Sequence, residues 1–480
     1  MKLKNSKLFR WISIPICLIF CFVGQFIPAP PGLTSDAMGV IFIFISVLFL
    51  WLTIGIDWPS LLCIFSLGFI GKIGFKGVFA SSFGNTTFLF LLFTFICTYA
   101  LSQTSLIKRI AIWFINLKLA KRNGYRFIIL FLFSVLLIGL FISPSVLFVV
   151  MLPIVYEVFE IAGINKEDKV AKSLLLGLGF TVSISSGMTT IAHVFPVLAM
   201  QAAKFSISPV QYMGIGIPVG LILFILMLLI FRFILRPDVS KLKDIDTSSL
   251  KKNLTKISKK DITTLVVFLI VIVLWIVPTF FKSVSPEFYE VFNKRGTAMP
   301  PLLGTLVLCI IRFDDEPILK VGDAFKNGVP WVSLIMCAST LALGAALTNP
   351  DVGIKTFLET NLTGPLSKVP PILLLIIFGV WAALQTNVSS NMVTAMLVSS
   401  VAANVLSGMS GTIHVESIVV VIGMLASFAF ATPPSMPHIA IIAGSDYCTT
   451  KEVLIYGSML MVLSIIVALL VGYPLGTVII

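Results

Sequence analysis

Residues 213–235 and 453–476 each form an apolar run long enough to cross the roughly 30 Å hydrocarbon core of a bilayer; the first carries Arg232 as its only charge, the second none. Further apolar stretches recur at 11–28, 37–56, 86–101, 127–142, 171–184, 262–281, 370–384 and 415–431. In hydrocarbon every backbone N–H and C=O needs an internal partner, so these runs fold as helices. Composition agrees, with 58% hydrophobic and 11% charged residues and a mean hydropathy of +1.07, where a soluble domain has roughly 25% charged residues. The expected fold is an all-α polytopic membrane protein. The first run follows Lys2, Lys4, Lys7 and Arg10, which also suits a secretory signal. Its length, the lack of a small-residue cleavage site before Pro28 or Pro30, and the spans that follow at once favour an uncleaved anchor.

The net charge of +13 does not point to nucleic acid, because of where it lies. With alternate loops assigned to opposite sides, roughly 26 of the 34 Lys and Arg fall on one side. That bias places the N-terminus and the Lys-rich 236–261 segment in the cytoplasm and the C-terminus outside. The assignment closes only if 127–142 with 146–160, and 370–388 with 392–406, are re-entrant hairpins from opposite faces. About eleven transmembrane helices then remain. A weak repeat at an offset of roughly 246 residues pairs Thr94, Ala100, Leu101 and Ser102 with Thr340, Ala346, Leu347 and Thr348, and sets Ser143-Pro144-Ser145 opposite Ser390-Asn391-Met392. Opposite orientation makes it an inverted repeat, an architecture that holds its cargo near the midplane between interrupted helices. The seven cysteines, Cys17, Cys21, Cys63, Cys97, Cys309, Cys337 and Cys448, lack metal-ligand spacing and read as packing residues.

Two polar breaks stand out in the second half, at Thr386–Ala395 and at Thr432-Pro433-Pro434-Ser435. A polar break at membrane depth survives only when buried in protein or lining a wet cavity. Together with Gly84-Asn85 before Phe88-Leu89-Phe90, Met151-Leu152-Pro153-Ile154, Pro330-Trp331, Leu343 to Leu347, and Ala431-Thr432-Pro433-Pro434 leading to Gly444-Ser445 and Lys451, they carry a resemblance to the divalent anion/sodium symporter family of dicarboxylate, citrate and sulfate transporters. The resemblance spans nearly the whole chain. It implies a homodimer in the cell membrane in which a transport domain moves against a scaffold, the elevator form of alternating access. By resemblance, 1–122 and 262–366 are scaffold, 123–235 and 367–480 move, and 236–261 is a basic linker.

In the family each hairpin tip bears Ser-Asn-Thr, which binds a substrate carboxylate and helps build a sodium site. The resemblance therefore implies substrate contacts from Ser390, Asn391, Met392, Ser143, Ser145, Thr432 and Pro433. It implies cation contacts from Ser143, Ser185, Gly187, Thr189, Ser390, Asn391, Ala431 and Thr432. Ser390 equally suits a plain N-cap of the second hairpin helix. Met392 replaces the usual Thr, and Pro144 replaces the Asn of the first tip, where it offers no N–H but fits a helix's first turn. The partner of the first tip, Ser183 to Thr190, keeps a small polar break without the Thr-Pro-Pro motif. His193 and His438 fall just beyond helix breaks, as interior hydrogen-bonded residues or as an internal cation or proton carrier; His414 reads as surface.

No carboxylate occupies the middle of an apolar run. One there costs about 3 kcal/mol, so it would mark a relay. Cation coupling then uses carbonyl and hydroxyl oxygens, a set that suits sodium, and no other cofactor is expected. The expected function is a secondary transporter for a small dianion, a di- or tricarboxylate such as succinate, malate or citrate, or sulfate, coupled to sodium. A sodium-independent dicarboxylate exchanger is the alternative, with a cation/proton antiporter behind it. An enzyme is disfavoured, since no HExxH, membrane aspartate pair or Ser/His/Asp group occurs.

Overall fold

The computed structural model describes residues 7–480 except 192, 244, 246–249, 251–253, 255, 282–284, 286, 288–289, 292–293, 348, 355–356, 358–368, 389 and 408–411. Thr348, Ser389 and much of the 236–261 segment thus lie outside the described residues. Helices dominate, and among the described residues the strands are one antiparallel pair, β1 (Arg312–Phe313) and β2 (Glu316–Pro317).

In chain order the longer helices begin with α1 (Lys7–Val23), α2 (Ser35–Thr53), α3 (Trp58–Leu67), α4 (Gly74–Ser81), α5 (Thr86–Ser102) and α6 (Leu106–Ile115). Next come α7 (Gly124–Gly139), α8 (Pro144–Ala162), α9 (Lys169–Met188), α10 (Phe195–Ala202) and α11 (Pro209–Ile230). The second half has α12 (Lys259–Phe280), α13 (Met299–Ile310), α14 (Trp331–Leu347), α15 (Pro371–Val388), α16 (Asn391–Leu406), α17 (Val415–Ser427), α18 (Pro437–Ala443) and α19 (Thr450–Val467). Polar residues set where they start. Asn85 and Asn123 accept the N–H of Thr87 and Tyr125, while Ser208 with Gln211 and Thr449 with Glu452 form capping boxes.

Among the described residues, five helices are long and apolar enough to cross a membrane singly, or seven when α4 with α5 (bent 43°) and Val321–Gly328 with α14 (bent 79°) each count as one. The expected eleven exceeds this because several apolar runs form shorter or interrupted helices. At both expected hairpins the chain forms a pair of packed helices, α7 with α8 and α15 with α16. Each is followed by a broken helix, α9/α10 or α17/α18, and then by a long one, α11 or α19.

The first break is displaced from its expected position. Ser183 to Met188 stays helical, and the chain unwinds at Thr189, extended at φ −141°, ψ 157°. The serines do not interrupt the helix because Ser185 and Ser186 donate to the carbonyls of Val182 and Ser183, at 3.0 and 2.8 Å. The second break is wider than Thr432–Ser435, since α17 already ends at Ser427.

Small residues let the unwound segments approach neighbouring helices. A Cβ on Gly216 of α11 would stand 2.6 Å from Met188 O, and one on Gly457 of α19 would stand 2.3 Å from Phe430 O. So each long helix carries a glycine under its half's break. The broken helices lie against each other: α10 packs on α16 and α17, and α9 on α17. Ser183 Oγ–H donates to Ala429 O at 3.2 Å across 246 residues, which is the offset of the weak repeat. Elsewhere α3 packs on α14 and α5 on α13. All seven cysteines are free, six of them buried.

Candidate functional site

A cavity of about 380 Å³ lies where the first hairpin tip (142–146), the first break (193–195), residues 327–333 and part of α5 converge. Beyond residue 333, Met392, Met436 and Pro437 are the described residues that reach it. None of its lining residues is Asp, Glu, Lys or Arg.

At the first tip Ser143 occupies the N-cap of α8 and Pro144 its first turn, but the Ser143 side chain caps no backbone N–H. Ser143 and Ser145 both line the cavity. Their hydroxyls and the positive end of α8 are the anion-favouring groups on this side.

The second tip is built differently. Val393 N–H donates to Ser390 Oγ at 3.4 Å, and the Ser390 carbonyl accepts from Thr394 N and Oγ1 at 2.9 and 3.0 Å. Ser390 thus caps α16, while Met392 faces the cavity. Asn391 is only 5% exposed, and its Nδ2 is enclosed without a hydrogen-bond partner among the described residues. A buried unpaired amide costs about 1–3 kcal/mol.

Each break is tied to a hairpin by a threonine. Thr189 Oγ1–H donates to Leu140 O at 2.9 Å, at the end of the first hairpin's leading helix. Thr432 Oγ1–H donates to Asn387 O, at the matching place in the second hairpin. Asn387 does more: its Oδ1 accepts Phe430 N–H at 2.8 Å and Ala431 N–H at 2.7 Å, and its Nδ2 donates to Ala383 O at 2.8 Å. Beside it, Thr386 Oγ1–H donates to Ala426 O at 2.8 Å. Pro433 opens the single turn 433–435 that follows.

The remaining sequence-derived positions divide in two. Ser185 spends its hydroxyl on Val182 O, and the Gly187 carbonyl accepts the Tyr212 hydroxyl at 2.8 Å. His193 lines the cavity, and its Nδ1 accepts Val194 N–H at 3.0 Å. His438 is 1% exposed, with Nε2 2.9 Å from Ser183 Oγ and its ring against Phe148. His414, read as surface, instead caps α17, its Nδ1 accepting Ser417 N–H at 3.3 Å.

Sequence reasoning missed two residues. One is Asn387, which sits in the flagged polar run without an assigned role. The other is Thr190, 2% exposed in the first break, with an Oγ1 that has no partner among the described residues. Its signal was the Thr189-Thr190 pair at a helix end. A free hydroxyl beside unwound carbonyls is the oxygen-donor chemistry that fits sodium, and among the described residues no cluster of three His, Cys, Asp or Glu offers a metal site.

The sequence profile of the family described as Citrate transporter matches residues 46–425. A sodium-dependent dicarboxylate transporter, SdcS, of Staphylococcus saprophyticus is 24% identical over 463 residues, covering 92% of this chain and 87% of its own. SdcS of Staphylococcus aureus is 25% identical over 412 residues, covering 82% and 77%. Among solved structures, the YdaH transporter of Alcanivorax borkumensis aligns with a TM-score of 0.52 at 14% identity, over 91% of this chain and 97% of that one. At that identity the likeness concerns the fold.

Proposed function

The chain belongs to the citrate transporter family and is a multi-pass membrane transporter of carboxylates, not an enzyme; from that premise we propose that it carries a small dianion, a di- or tricarboxylate or sulfate, together with sodium. The observation that carries this reading is the neutral cavity between the hairpin tips and the broken helices. Helix N-termini and hydroxyls there favour an anion, and nearby unwound carbonyls favour a cation. Sodium-dependent dicarboxylate transport is also what the two staphylococcal relatives are named for.

The same residues support an elevator. Residues 123–235 and 367–480 form the moving part, 1–122 and 262–366 the scaffold of a homodimer, joined through 236–261, with about eleven spans, the N-terminus cytoplasmic and the C-terminus outside. The cavity lies between the two groups, walled by α5 and 327–333 on one side and by the first tip, the breaks and Met392 on the other. Ion pairs Lys172–Glu452 (2.6 Å) and Lys166–Asp446 bridge the two halves of the moving part. Those bridges suit a unit that travels whole.

Energetics frame the coupling. Against about −100 mV a dianion costs roughly 4.6 kcal/mol to bring in, so two sodium ions only cancel the charge and net voltage-driven uptake needs a third. Exchange of one dianion for another needs none. Pro144, which lacks an N–H, and Gly187, whose carbonyl already accepts Tyr212, favour this second reading, a sodium-independent exchanger. Uptake of labelled succinate, citrate or sulfate into proteoliposomes, with and without a sodium gradient, separates the two. Absence of flux of any anion, by uptake or by counterflow, would refute both.

A further inference from the structure

On the outer side of α7 and α11, away from the cavity, lies a groove of about 210 Å³ that the transport reading leaves unused. We propose that it binds one anionic phospholipid, with the phosphate at Arg232 and an acyl chain laid along the two helices.

The groove is a built feature with a polar mouth. Tyr125, at the start of α7, donates its hydroxyl to Pro237 O at 3.2 Å. The guanidinium of Arg232 lies over the Tyr125 ring, 4.9 Å from its centroid, a cation–π contact that holds it at the opening. Gly124 lets the chain after α11 close the end, since a Cβ there would stand 2.1 Å from Val239 O. Arg232 forms no ion pair with a carboxylate among the described residues. Arg126 on α7 and Arg236 just past the groove's helix are also exposed. Asp238, past the end of the groove, accepts Ser240 N–H at 3.0 Å and forms no ion pair with an arginine among the described residues.

Below this mouth the walls are apolar. Leu229, Leu228 and Ile225 precede Arg232 by three, four and seven residues, so they share its helix face and extend it by about 10 Å. Ile128 and Ile129 stand in the same relation to Tyr125 on α7. Ile225 and Leu229 are 54% and 42% exposed, although α11 is otherwise half enclosed. A cation at the end of an exposed apolar trough that runs toward the bilayer core matches a headgroup phosphate above an acyl chain. A peptide segment would bring N–H donors that the trough has no acceptors for. The basic mouth also agrees with the negative surface potential that draws Lys and Arg to one leaflet.

The test is native mass spectrometry of the purified full chain with phosphatidylglycerol and, separately, phosphatidylcholine of the same acyl chains. Phosphatidylglycerol should be retained preferentially, and Arg232→Gln should cut that preference about fivefold, the factor expected for one basic group near a membrane surface. Arg232→Lys should keep most of it, and Arg312→Gln, exposed on β1, should leave it unchanged. Monodispersity and melting temperature of each variant confirm folding. Equal retention of the two lipids by the native chain would overturn the proposal, as would an unchanged preference in Arg232→Gln. So would finding no lipid because a second copy covers the trough in a stable dimer.

Discussion

Asn387 accepts the main-chain N–H of Ala431 at 2.7 Å, and through that bond the end of one hairpin helix holds open the unwound stretch of another. The same side chain accepts Phe430 N–H, so a single amide stands in for the helical carbonyls that the break gave up.

Asn387→Ala leaves both N–H groups buried without acceptors. At about 1–3 kcal/mol for each orphaned group, the expected loss is about 3 kcal/mol, with transport lost alongside. A thermal melt of purified protein next to native chain measures it. A melting temperature within a degree of native would contradict the role.

Asn391 predicts the opposite combination. Its Nδ2 has no protein partner, so Asn391→Ala removes a desolvation cost of about 1–3 kcal/mol and should keep or raise the melting temperature of the substrate-free protein. Transport should fall at least tenfold, on the order of one lost charge-assisted hydrogen bond. Native-like uptake in this variant would remove Asn391 from the site.

Gly139 and Ser185 form a tight crossing of α7 and α9. A Cβ on Gly139 would lie 2.1 Å from Ser185 Oγ and 2.6 Å from Ser185 Cβ. Gly139→Ala should therefore cost about 1–3 kcal/mol by overpacking. Adding Ser185→Gly, which deletes both clashing atoms, should recover part of it despite the added helix glycine. Purely additive losses in the double variant, read by thermal melts, would show that the two do not meet.

Acid should loosen the basic face. A hydrogen bond from Lys241 and the N–H of Asn165 hold the Asp168 carboxyl below its ordinary value, and the hydrogen bond and charge of Lys166 do the same for Asp446. A depressed carboxylate contributes fully above its unfolded pKa near 3.9 and loses that contribution as pH falls through the lower folded value. The melting temperature should therefore drop below about pH 4. Lys241→Gln should lower it slightly at pH 7 and flatten the acid limb. Both groups are exposed, so added salt should shrink the difference.

The helix starts around the candidate site are legible in the sequence because their signals are local. Ser143-Pro144 and Ser390-Asn391 mark helix starts by residue type alone, and the helices flanking both tips lie within a few residues of the bounds the sequence predicts. The position of the first break was not legible. Whether a buried serine interrupts a helix depends on whether its hydroxyl finds a carbonyl one turn back, as Ser185 and Ser186 do. Asn387 was passed over for a similar reason: its partners lie 43 and 44 residues away.

Sequence by itself determined that this chain lives in a membrane, where its helices begin, and that no carboxylate sits in the middle of an apolar run. Those properties follow from hydrocarbon solvation and from caps, which act over a few residues. Tertiary structure decided which tip residues face the cavity, that Met392 rather than Asn391 lines it, and which hydroxyls are spent on carbonyls and which, like that of Thr190, stay free. A polar group's role in a dry interior depends on the partner that packing brings to it, and for Asn387, Thr432 and Thr189 those partners lie 43 to 49 residues away along the chain.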